Sequence, residues 1–101
     1  MSPSFTFTAT VWLWKGDSAW HFISLPEDVA DEIEAITHGH TRGFGSVPVE
    51  VRSADVTWKT SIFPDKKSGT YLLPLKKQVR QDLGGCEEGS RVTVTVRIRE
   101  M

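Results

Sequence analysis

From Ser4 to Lys15 the chain alternates strictly, with Phe5, Phe7, Ala9, Val11 and Leu13 on one face and Thr6, Thr8, Thr10, Trp12 and Trp14 on the other. A period of two built from β-branched and aromatic residues predicts a strand with one dry side. "KGDS" reads as a turn, and Ala19 to Leu25 returns as a second strand, the hairpin partner of the first. The rule recurs downstream. Val47, Val49 and Val51 oppose Pro48, Glu50 and Arg52. Val56, Trp58, Thr60 and Ile62 make another row, and Tyr71, Leu73 and Leu75 another. In the last strand Val92, Val94, Val96 and Ile98 stand against Thr93, Thr95, Arg97 and Arg99.

Two segments break the alternation. "PEDVADEIEAIT" opens on Pro26, places Glu27 and Asp28 at the positive end of a helix dipole, and carries an apolar stripe of Val29, Ala30, Ile33 and Ile36. Gly39 is its expected stop. "KKQVRQDLGG" predicts a shorter helix with Val79 and Leu83 one turn apart and Gly84 as its terminator. The order is ββαβββαβ in one domain spanning residues 1–101. Six strands with one apolar face each are best hidden in a small closed or nearly closed barrel with helices at its ends. The alternative is an open antiparallel sheet with both helices on one face.

Charge and cysteine content narrow the function classes. Twelve Lys and Arg stand against thirteen Asp and Glu, a formal charge of −1. That balance creates no global field for a polyanion, so nucleic acid is not expected as a default partner, although a local basic patch stays open. Cys86 is the lone cysteine, so no internal disulfide forms and nothing points to an oxidising compartment. The N-terminus lacks a signal-peptide pattern and no apolar run approaches a membrane span; a cytoplasmic setting without membrane contact is expected.

"TRGFGSVPVEV", Thr41 to Val51, is the stretch with most chemical content. Gly43 and Gly45 let the backbone approach a ligand closely, Arg42 offers a planar fork for a carboxylate or phosphate, and Ser46 offers a hydroxyl. Lys59, Ser61, Lys66 and Lys67 add positive charge and polarity, while Phe44, Trp58 and Tyr71 offer an aromatic wall. The competing account is a tight corner capped by Phe44. Trp12 and Trp14, outward if the Phe5 row is core, form a candidate interaction face. His38 and His40 lack further metal ligands nearby, so no metal is expected. No spacing joins Ser46, His21, Asp55 and Cys86 into a nucleophile–base pair, and Glu87 and Glu88 disfavour a Cys86 thiolate. No enzymatic activity and no cofactor are expected.

"RGFGSVPVEV", "WKTSIFPDKKSGTYLLPLKKQVR" and "EEGSRVTVTV" together resemble a bacterial family of small proteins known as domain of unknown function 1905, over nearly the whole chain. The resemblance implies a compact β-barrel with two short helices and implies no activity. "RSADVT" replaces a more glycine-rich turn, and Ser90 stands where an aspartate is common. "LPLKKQVRQDLGGCEEGSRVTV" is also similar to the swapped-hairpin barrels of bacterial transition-state regulators, some of which bind DNA as dimers. The expected function is a non-enzymatic module that binds a small anionic or planar molecule near Arg42–Ser46. The alternatives are a protein-interaction or homo-oligomer-forming domain using the Trp12/Trp14 face or a strand edge, and, behind it, a DNA-binding dimer.

Overall fold

A computed structural model describes residues 3–14, 20–39 and 45–99. It contains β1 (Ser4–Thr10), β2 (Trp12–Trp14), β3 (Trp20–Ser24), α1 (Glu27–Thr37), β4 (Val47–Ser53), β5 (Val56–Asp65), β6 (Thr70–Pro74), α2 (Lys77–Asp82) and β7 (Arg91–Ile98). The protein is mainly β: seven antiparallel strands curl into a half-barrel in the order β1-β7-β4-β5-β6-β3-β2, accompanied by two helices.

The expected first strand is two strands. Its alternation continues unbroken in sequence, but the pairing changes partner at Val11. Residues before it pair with β7, and those after it pair with β3. Val11 makes the corner by donating its N–H to the Ser90 carbonyl at 2.8 Å and accepting from the Gly89 N–H at 2.9 Å. The two outermost strands of the sheet are thus consecutive pieces of one segment. β5 makes a similar transition, pairing with β4 through Ile62 and with β6 from Phe63 onward. Strands that pass from one sheet to another build the corners of orthogonally packed β-structures.

The inward rows are the ones that the period of two predicts. Val11, Val47, Val49, Val51, Val94 and Val96 are essentially inaccessible, and Phe5 packs against them from the margin. Burial of one such aliphatic side chain stabilises by about 1.5–3 kcal/mol. On the outward side of β1 and β7, Thr6 shares a 2.8 Å hydroxyl hydrogen bond with Thr95, and Thr8 a 2.7 Å one with Thr93.

The helices close the apolar interior. α1 packs against β6 through Ala30, Ile33 and Thr37. Ile36, expected in the buried stripe, is 43% exposed instead. The buried spacing of 30, 33 and 37 centres the stripe one step away, and Thr37 fits because its hydroxyl donates to the Ile33 carbonyl at 2.7 Å. α2 lays Val79 and Leu83 on the core, as the sequence predicts. No helix among the described residues is long and apolar enough to cross a membrane.

Candidate functional site

β5 carries the outer surface from one half of the sheet to the other. Alternation turns Thr57, Lys59, Ser61 and Phe63 outward in succession along this one strand. Phe63 stands opposite Leu72, which stands opposite Ser24; Phe22 stands opposite both Pro74 and Trp12; and Trp20 stands opposite Trp14. The outer face of β2, β3 and β6 is therefore largely apolar, where a simple inside–outside rule would make it polar.

Phe22 is the hub of this face. Its ring centroid lies 5.4 Å from Trp12, 6.2 Å from Trp14 and 6.3 Å from Trp20. The surrounding indoles leave Phe22 buried although it points away from the core. Trp12 is fixed by donating its indole N–H to Ser24 Oγ at 3.0 Å. Trp14, Trp20 and Phe63 remain 47%, 61% and 44% exposed, an unusual outlay of large apolar surface to water.

Two depressions adjoin on this face, sharing Trp20, Phe22, Pro74 and Lys76. The larger, about 620 Å³, extends over Phe63 and Leu72 to Lys59 and Arg99. The smaller, about 290 Å³, runs toward Leu75 and α2, ending at Lys77, Arg80 and His21. Every Lys, Arg, Asp or Glu that lines either one is basic: Lys59, Lys76, Lys77, Arg80 and Arg99. Arg80 is held in place. Its Nε donates to the Leu75 carbonyl at 3.1 Å, and its Nη1 lies 3.4 Å from His21 Nε2. The neighbouring acid on α2, Asp82, is occupied by Gln78 Nε2 at 3.0 Å. Among the described residues this guanidinium has no carboxylate partner.

The residues singled out from sequence separate. Arg42, Gly43 and Phe44 lie outside the described residues, as do His40 and the "KGDS" turn from Lys15 on. Ser46 is buried and presents no open hydroxyl. Trp58 and Lys59 are successive strand residues and must face opposite sides. Lys59 and Ser61 line the groove, whereas Trp58 packs against the core with its indole N–H buried and without a hydrogen-bond partner among the described residues. Trp58 therefore cannot serve as a wall for a ligand held by Lys59. Gly45, Lys66 and Tyr71 border a different cleft, between α1 and the β5–β6 turn, together with Glu34, His38 and Asp65. Tyr71 is nearly buried there, and desolvation pushes its phenol upward. Hydrogen bonds from Ser68 hold the Asp65 carboxyl below its usual range; the Ser68 hydroxyl donates at 2.7 Å. Lys67 belongs to that turn and lines neither depression of the groove. Trp12 and Trp14 face outward as expected.

Phe22, Phe63, Leu72, Lys76, Arg80 and Arg99 were not singled out by sequence. A signal existed: Phe22, Phe63 and Leu72 are apolar residues out of phase with their strands' inward rows, which marks a second apolar face. Cys86 is buried and lines neither depression, and desolvation pushes its thiol upward. Among the described residues no cluster of three His, Cys, Asp or Glu side chains is arranged to hold a metal.

The fold is thus a small antiparallel β half-barrel with two helices that carries a basic-rimmed aromatic groove on its outer surface. The chain belongs to the family of domains of unknown function DUF1905, whose profile matches residues 7–96. No curated protein matches the sequence.

Proposed function

We propose that this protein is a non-enzymatic binding module for an anionic molecule with a planar, apolar body, working in the groove between Phe63 and Arg80. The observation that carries this reading is the rim: in a chain of net charge −1, all five Lys, Arg, Asp and Glu residues lining the two depressions are cations. The indole of Trp20 and the ring of Phe63 offer flat apolar contacts over the buried Phe22. Arg80 supplies an oriented fork for a carboxylate or phosphate, and Lys59, Lys76, Lys77 and Arg99 supply less directional charge. This reading keeps the ligand class expected from sequence and, of the residues expected there, uses Lys59 and Ser61. A cytoplasmic setting accords with Cys86 as a free thiol.

Tryptophan fluorescence and thermal shift, titrated with an aromatic carboxylate, a nucleoside monophosphate, inorganic phosphate and an uncharged aromatic alcohol, test the reading. The two aromatic anions are expected to bind, and Arg80→Met to weaken them by about 1.5–3 kcal/mol. Equal response to the uncharged alcohol, or none to any probe, would overturn it. The exposure of Trp14 and Trp20 also favours a second reading, a homo-oligomer buried through this face; sedimentation velocity showing only monomer at high concentration removes it.

A further inference from the structure

We infer that the anion taken by this groove is single-stranded nucleic acid, with bases stacked on the exposed aromatic rings and phosphates held by a basic field that continues beyond the groove. The inference rests on the groove reading above and extends it to a polymer.

Three observations carry it. The first is the continuity of charge. Arg97, Glu50 and Lys59 stand side by side across β7, β4 and β5, and Arg52 and Arg91 continue the same outer face. Glu50, the acid of this face, is taken by Arg97 Nη2 at 2.7 Å, with Lys59 and Arg99 also acting on it. A single small anion would use only the groove; cations distributed over three strands suit a chain of phosphates. The second is the supply of rings. Trp14, Trp20 and Phe63 are each about half exposed, more stacking surface than one planar ligand covers. Every base has a π-face, so such platforms hold a single strand with little sequence preference. A duplex keeps its bases stacked internally and leaves those rings unused. The third is the segregation of the opposing charge. α1 alone bears Glu27, Asp28, Asp31, Glu32 and Glu34 with no basic residue, so the near-zero total conceals a basic sheet face and an acidic helix. The outward threonines of β1 and β7 add hydroxyl groups beside the arginines.

Fluorescence anisotropy of a labelled oligothymidylate of about 12 nucleotides tests this directly, with thymidine monophosphate and a duplex of equal length as the other arms. The oligonucleotide is expected to bind more tightly than either. If about four phosphates are neutralised, affinity falls about fifty-fold between about 50 and 200 mM salt. Trp20→Ala weakens the oligonucleotide about 5- to 100-fold, and Trp20→Phe restores most of the loss. Arg91→Glu, outside the groove, weakens the oligonucleotide and leaves the monophosphate unchanged. No anisotropy change at low salt overturns the inference, as does duplex binding of equal strength that ignores Trp20→Ala. An oligonucleotide no tighter than the monophosphate overturns the polymer alone and leaves the groove reading standing. If the aromatic carboxylate also fails to bind, both fall.

Discussion

Ala54 sits at φ +51 as the first residue of the two-residue loop between Ser53 and Val56, the position where hairpins favour glycine. A left-handed backbone costs an alanine about 1–2 kcal/mol, so Ala54→Gly should stabilise the protein by about 1 kcal/mol in urea unfolding. The family resemblance implies a more glycine-rich turn here, and the structure gives that departure a physical meaning. Gly45 is the reverse case. Its φ is +78, and an added Cβ would stand 3.2 Å from Pro64 Cγ, so Gly45→Ala should destabilise by about 1–2 kcal/mol or more. Here the sequence proposed ligand access, while the described surroundings show close packing against Pro64. Cys86 yields a third expectation: burial raises its thiol, so iodoacetamide should alkylate the native protein slowly at neutral pH and rapidly in denaturant. Rapid native alkylation would contradict the packing around it.

The strands and helices were legible because one signal, apolar spacing, coincides with one dry interior. Rows such as Val47–Val49–Val51 and Val92–Val94–Val96 needed no tertiary information. The break at Val11 was invisible for the same reason: a corner that keeps side-chain parity leaves the alternation intact. Val11→Ala should therefore cost about 2 kcal/mol, as for a fully enclosed aliphatic. The groove was partly legible, because Trp12 and Trp14 were expected to face outward and Lys59 lies off the Trp58, Thr60 and Ile62 row. Its apolar floor comes from β3, β5 and β6 converging, and that requires register, which no single segment encodes. On α1, Ile36 follows Glu32 by one turn near a C-terminus that has no basic residue. Ile36→Lys should stabilise by a few tenths of a kcal/mol, about 0.3–0.5, measured by thermal or urea unfolding. A loss above about 1 kcal/mol would place Ile36 in the core after all.

For the molecule as a whole, charge is arranged by region, and its pH response follows. Hydrogen bonding to Arg97 lowers the Glu50 carboxyl from 4.5, and hydrogen bonding to Ser68 lowers Asp65 from 3.8. Lowered carboxyls stabilise the fold above their free values; as pH falls through the folded values the unfolded chain has already gained protons, and stability is lost. Glu50→Gln and Asp65→Asn should each flatten the decline in urea midpoint between about pH 5 and about pH 3. An unchanged decline would mean that these contacts do not persist in solution. The corner at Val11 has a consequence for biosynthesis. A ribosome delivers β1 first and β7 last among the strands, yet these two lie side by side. While the message is being read β1 lacks its strand partner, and the final zipping of the β-structure must wait until translation has passed Arg91.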